Sequence, residues 1–211
     1  MNKSALNKLG YGLYVLTTSA GGKDNGCITN SVMQITGGEE ISALVSLNKQ
    51  NFSHDMIKES KKLNVSVLTT DTPFDLVKHF GFQSGATVDK FADFSDAARS
   101  TNGVYYLAKY TNAYLSIEVN ETIDCGTHTL FIGRVNEAEI LGDGESLTYD
   151  YYHKNIKPQP QPATTNAGAD SGATKTAYRC TICGYVYEGE ELPEDFICPL
   201  CKHGTSDFVK I

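Results

Sequence analysis

Four cysteines near the end of the chain fall into two like-spaced pairs. Tyr178-Arg-Cys-Thr-Ile-Cys-Gly-Tyr-Val-Tyr187 holds Cys180 and Cys183; fourteen residues later, Phe196-Ile-Cys-Pro-Leu-Cys201 holds Cys198 and Cys201. Two C-x2-C knuckles supply a full tetrahedral set of thiolates for one soft metal ion. A segment this short cannot bury a core sufficient to hold it folded, so the metal must staple it. Spacing alone leaves iron and zinc both open. The insert Glu188-Gly-Glu-Glu-Leu-Pro-Glu-Asp195 is acidic and would repel phosphate, which argues against a nucleic-acid-binding ribbon.

The rest of the 211 residues suit one ordinary domain and a tether. Lys157-Pro-Gln-Pro-Gln-Pro162 runs into a Gly/Ala/Thr stretch with no apolar period. Residues 156–176 therefore read as a flexible linker, spanning about 25 Å as a coil. The domains read as 1–155 and 177–211. No apolar run approaches a membrane span, and the N-terminal residues lack the apolar stretch of an export signal. With Cys27 and Cys125 unpatterned as a disulfide framework, the expected compartment is the cytoplasm. Both are expected to be buried small residues. A net charge of −7 argues against nucleic acid and against an anionic membrane as partner.

The first 155 residues read mainly as strands: 12–18, 27–36, 41–47, 65–69, 104–107, 113–119 and 129–140. Asn25-Gly26 signals a tight turn before the second strand, and Gly37-Gly38 another after it. Phe52, Met56, Ile57 and Leu63 suggest the face of one helix. Thr72 as N-cap, Pro73 at the first helical position and a stop near Gly81 define a second. Many short strands with two inserted helices imply a mainly β fold closed as a barrel. Neither G-x-G-x-x-G nor G-x-x-x-x-G-K-[ST] occurs, which argues against a doubly wound dinucleotide domain.

Two resemblances extend this reading. The cysteine segment, with its flanking tyrosines and its Leu-Pro-Glu-Asp-Phe, resembles a rubredoxin domain; that implies a single iron held by Cys180, Cys183, Cys198 and Cys201. Ile28-Thr-Asn-Ser-Val-Met-Gln34, Val45-Ser-Leu-Asn-Lys49 with Asn51, Ser53 and His54, Phe80-Gly-Phe-Gln-Ser-Gly85 with Asp89-Lys-Phe91, and Gly126-Thr-His-Thr-Leu-Phe-Ile-Gly133 together resemble the flavin reductase family. That resemblance implies a split β-barrel binding FMN, as a homodimer.

Residue by residue, it implies a cofactor site of Thr29, Asn30, Ser31, Val32, Ser46, Leu47, Asn48, Lys49, Asn51, Ser53, Ser84, Lys90 and His128. Ser46, Asn48, Lys49, Asn51 and Ser53 offer the donors and charge a phosphate needs. Asn30 and Ser31 suit the polar edge of a flavin ring. Lys90 and His128 are the candidate catalytic residues, the first as a positive charge near reduced flavin, the second ordering flavin or nicotinamide. Tyr149, Tyr151, Tyr152 and His153 either close over the flavin or form an aromatic edge of the core.

The two-module architecture resembles the high-molecular-weight rubredoxins. That implies an electron-transfer oxidoreductase running from NADH or NADPH through FMN to the Fe(Cys)4 centre and on to a flavodiiron protein that reduces oxygen or nitric oxide. The alternative is an NAD(P)H-dependent free-flavin reductase whose C-terminal module is a zinc ribbon for docking. A non-enzymatic electron carrier is a third reading.

Overall fold

A computed structural model describes residues 8–158, 176–180, 186–198 and 204–211. The chain divides into two units, residues 1–157 and 158–211. The expected linker lies almost wholly outside the described residues, as do the export-signal expectation at residues 1–7, Cys183 and Cys201.

The first unit is built on β1 (Tyr14–Ala20), β2 (Lys23–Thr29), β3 (Val32–Gln34), β4 (Ser42–Asn48), β5 (Lys62–Leu68), β8 (Thr111–Asp124) and β9 (His128–Ile140). They form one antiparallel sheet in the order β2-β1-β5-β8-β9-β4-β3. Its two edge strands, β2 and β3, are consecutive in the chain and separated only by Asn30 and Ser31. The chain therefore passes directly from one edge strand to the other, and a main-chain bond from Ser46 to the Ser31 carbonyl (3.0 Å) carries the β3–β4 ladder into this connection, the seam. A short hairpin of β6 (Ala97–Arg99) and β7 (Tyr105–Leu107) lies apart from this sheet.

Two cores flank the strands. Inside the barrel, Leu16, Val45, Leu47, Leu63, Val65, Ile117, Val119 and Phe131 pack with Ile57 of helix α1 (Phe52–Ser60). Outside it, Leu13, Val15, Leu68 and Leu107 pack with Leu76, Val77 and Phe80 of helix α2 (Phe74–Gly81), and with Leu147 and Tyr152. Val15 and Leu16 face opposite cores, which is why β1 reads as a continuous apolar run rather than an alternation. In β4 the alternation is plain: Ala43, Val45 and Leu47 are buried and the residues between them less so.

Several local expectations are corrected. Asn25-Gly26 makes no turn; both lie within β2, and the hairpin turns instead at Gly21-Gly22, whose φ values of +56° and +76° suit glycine. Gly26 is required by packing, since a Cβ there would stand 2.9 Å from Phe80 Cδ1. The strand expected at 27–36 breaks at Asn30-Ser31. Leu63 belongs to β5, not to α1. Thr72 does not cap α2: Pro73 holds that position, and the Thr72 hydroxyl donates to the Tyr110 carbonyl. Gly37-Gly38 does turn, with Gly38 at φ +87°.

The second unit has a three-stranded sheet, β11 (Val186–Glu188), β10 (Ala177–Cys180) and β12 (Phe208–Lys210), in that order. Phe196 lies between Tyr187 and Phe208, its ring 4.8 and 5.4 Å from theirs. Cys180, opposite Phe208 in register, and Cys198 are buried.

One close approach makes a direct test. A Cβ on Gly133 of β9 would stand 2.3 Å from the Glu118 carbonyl oxygen, a main-chain atom with no freedom to swing away. The Gly133→Ala variant is expected to lose about 1–3 kcal/mol of stability in urea melts, the usual range for overpacking.

Candidate functional site

The seam of the barrel and the loops beside it bring together most of the candidate residues. Thr29 ends β2 and Val32 begins β3, with Asn30 and Ser31 between; the Ser31 hydroxyl donates to Asn30 Oδ1 (2.9 Å). Ser46 and Leu47 lie near the end of β4, and the Thr29 hydroxyl points to the Ser46 carbonyl (3.5 Å). Asn48 pairs with His128 at the start of β9. The Lys49 amide donates to the Thr127 carbonyl (3.0 Å), tying this loop to the tip of the β8–β9 hairpin.

Helix α1 begins just beyond. Asn51 is its N-cap, with Oδ1 accepting from the Ser53 amide (3.0 Å). Its first-turn N–H groups and the positive end of its dipole favour an anion here. The candidates differ in reach, however. The Lys49 ammonium grips both carboxylate oxygens of Asp124, at 2.7 and 2.6 Å. The Ser53 side chain is fully buried, with Oγ accepting from Asn25 Nδ2 (2.8 Å), so it supports the loop from beneath rather than facing solvent. The His128 ring is half-buried, with Nδ1 2.9 Å from the Thr127 hydroxyl.

Lys90 is also buried, only 2% exposed. Its ammonium donates to the Gly26 carbonyl on the edge strand β2 (2.7 Å) and to the Phe80 carbonyl in the last turn of α2 (2.8 Å). Desolvation pulls its pKa down to about 8. It lies near the thiol of Cys27, which in turn hydrogen-bonds Ser53 and Asn51. Lys90 is thus placed as a latch joining an open strand edge to a helix end, one step behind the α1 loop. Ser84 follows α2, its carbonyl accepting from the Thr87 and Val88 amides. The next residue, Gly85, rests on Asn25: a Cβ there would be 2.1 Å from Asn25 Oδ1.

Asn25, Cys27, Gly85 and Asp124 belong to this constellation and were not among the sequence candidates. Gly85 at least stands in a motif that sequence picked out, whereas Asn25 was masked by the turn signal of Asn-Gly. Asp124 meets Lys49 across 75 residues, which no local pattern announces. Cys27 is buried as expected, but Cys125 is exposed at the hairpin tip. Tyr149 and Tyr152 pack against the outer core, as an aromatic edge.

The sequence and this fold agree with known proteins. Residues 6–158 match the family model for the flavin reductase like domain. The chain belongs to that family. Residues 178–209 match the rubrerythrin, rubredoxin-like domain, so a flavin reductase module is fused to a rubredoxin-like one. High molecular weight rubredoxin of Moorella thermoacetica is 40% identical across the whole of both chains. A ferric-chelate reductase (NAD(P)H) of Archaeoglobus fulgidus is 38% identical over 78% of this chain and 96% of its own. Among solved structures, the Streptomyces globisporus NADH:FAD oxidoreductase SgcE6 superposes with a TM-score of 0.62 at 22% identity, over 68% of this chain and 84% of that one; it shares the split-barrel fold. Among the described residues no helix is long and apolar enough to cross a membrane.

The buried lysine makes stability depend on pH. Unfolded, Lys90 holds its proton up to the ordinary 10.5; folded, it releases it near 8. Between these values the unfolded state binds more protons, so this group's contribution to stability rises with pH. Burial pushes the Cys27 thiol up, which acts in the opposite sense above its ordinary 9.0. In a Cys27→Ala background, the stability advantage of Lys90 over Lys90→Met should therefore grow by on the order of 2–3 kcal/mol across that window, read by urea denaturation at each pH.

Proposed function

We propose that the chain is an electron-transfer oxidoreductase that takes electrons from NADH or NADPH at an FMN held in the barrel seam. It delivers them through an Fe(Cys)4 centre to an external protein acceptor of the flavodiiron type. The observation that carries the reading is the union in one chain of a flavin reductase fold and a rubredoxin-like module, matched end to end by a high molecular weight rubredoxin.

The residues present fit both groups. At the seam, the N-terminal turn of α1 with Asn48, Asn51 and Lys49 gathers polar side chains and the positive end of the helix dipole, a setting suited to a phosphate monoester. Asn30 and Ser31 carry polar side chains at the point where the strand edges meet, suited to the amide edge of a flavin ring. In the second unit, Cys180 and Cys198 are both buried beside an aromatic cluster, the setting a dry thiolate–metal centre needs; Cys183 and Cys201 complete the set in the motif. When bound, flavin supplies hydride acceptance with release of single electrons, and four-thiolate iron supplies one-electron transfer.

This chain's own contributions are positional. The bond between the Ser46 amide and the Ser31 carbonyl ties the β2–β3 connection to β4. Lys90 braces β2 against α2 from behind, and its buried charge biases the site toward anions without touching solvent. His128, paired with Asn48, carries a ring suited to orienting the flavin or the incoming nicotinamide. Glu190, Glu191, Glu194 and Asp195 are exposed and make an acidic face for docking a basic acceptor surface.

One face of the barrel is suited to a second copy of the chain. A groove of about 500 Å³ runs along its side, lined by Tyr14, Val32, Met33, Ile41, Leu115 and Val135 among others. Met33 and Ile41 are exposed, at 57% and 38%, the kind of apolar patch that marks an interface. Val32 belongs to both groove and candidate site, so pairing of two barrels would shelter the flavin. The Met33→Glu variant is expected to sediment as a monomer where the parent sediments as a dimer.

The central test is an anaerobic visible spectrum of the full chain before and after NADH. Flavin and iron–thiolate bands are both expected to bleach. In Cys180→Ser or Cys198→Ser, flavin bleaching should persist while reduction of the protein acceptor falls to background. Loss of both activities together would sink the two-module circuit. A protein with no visible iron band but NADH-dependent flavin reduction would instead be a free-flavin reductase with a zinc module.

A further inference from the structure

The loop that would receive a phosphate already holds an anion of its own. Lys49 is the cation in this loop, and its ammonium is taken by Asp124 through both carboxylate oxygens, at 2.7 and 2.6 Å. The aspartate is itself fixed: Oδ1 also accepts from the Gly126 amide (2.8 Å), within a tip where Gly126 has φ +80° and the Cys125 amide donates to the His128 carbonyl (2.9 Å). The Lys49 amide meets the Thr127 carbonyl of the same tip. The carboxylate is thus held, by its own turn, against the lysine that follows Asn48 and precedes the N-cap of α1. The hydrogen bond from the Lys49 ammonium, and after it that from the Gly126 amide, hold the Asp124 carboxyl below the ordinary range.

We propose that Asp124 is an internal stand-in for the ligand's phosphate: it competes with the phosphate monoester of the flavin for Lys49 and so sets how tightly the cofactor is held. The inference rests on the flavin reading of the seam. A phosphate arriving at the α1 loop gains Lys49 only by displacing the carboxylate, exchanging one ion pair for another. That exchange weakens the retention of a phosphorylated flavin while leaving its ring contacts untouched. Asp124 is then a specificity-determining residue, lowering the preference for FMN over a flavin without phosphate. In the empty protein the same pair keeps the hairpin tip and the β4–α1 loop joined.

The substitution Asp124→Asn separates charge from fold, because the amide oxygen still accepts from the Gly126 N–H. Full-length protein freed of flavin is titrated with FMN and with riboflavin, following quenching of flavin fluorescence. Asp124→Asn is expected to bind FMN about two- to fivefold more tightly, the equivalent of releasing one exposed ion pair, with riboflavin unchanged. Lys49→Met should bind FMN more weakly, closer to riboflavin, and adding Asp124→Asn to it should bring no gain. The gain should also shrink as salt is raised. Unchanged or weaker FMN binding by Asp124→Asn would overturn the proposal, provided Lys49→Met still weakens FMN. An equal gain in the Lys49→Met background would overturn it too, since Asp124 would then act on the phosphate directly rather than by holding the lysine. If Lys49→Met binds FMN as well as the parent does, the placement of the phosphate beside Lys49 fails, and the stand-in role fails with it.

Discussion

A sheet with seven strands has two edges to dispose of, and this chain disposes of them with two residues. Asn30 and Ser31 carry the backbone from one edge strand to the other, so the two edges are joined covalently. Everything functional then follows from where the seam lies. The end of β4, the first turn of α1 and the β8–β9 tip are all drawn to it, because β4 pairs with β3 on one side and β9 on the other. The closing residues are polar. A fold that must leave polar groups at a seam has, in the same place, the donors for a polar ligand.

The seam also needs a brace. β2 pairs with β1 along one side, leaving its other side to be satisfied by something outside the sheet. Lys90 supplies this with a buried ammonium bonded to carbonyls of β2 and α2. Burying that charge is costly. The depressed pKa is the sign of it, and the two carbonyl bonds offset it. Such an arrangement is tolerated where geometry must be held more tightly than apolar packing alone would hold it.

Much of this was legible in the sequence, and the gaps have physical causes. The strands at 41–47, 113–119 and 129–140, and the two domains, could be read, because each rests on a local pattern or a fixed spacing. Asn25-Gly26 misled because the signal for a turn is local, while the need for glycine at 26 comes from Phe80 in a distant helix. Thr72 looked like a cap, but its hydroxyl found a carbonyl on Tyr110 instead. Lys90 reads in the sequence as a cation near reduced flavin; only the folded chain buries it and brings two carbonyls to it. The Lys49–Asp124 pair depends on the hairpin register, which sequence alone does not fix.

The two cysteines of the barrel are separated by access rather than by chemistry. Cys27 is sealed beneath the α1 loop, whereas Cys125 stands in solvent at the hairpin tip, one residue from Asp124 and three from His128. A thiol-directed reagent under native conditions therefore marks the barrel at one place, at the mouth of the seam. A dye attached there would sense the charge and crowding of the loop directly, giving the barrel an optical reporter that needs neither flavin colour nor turnover.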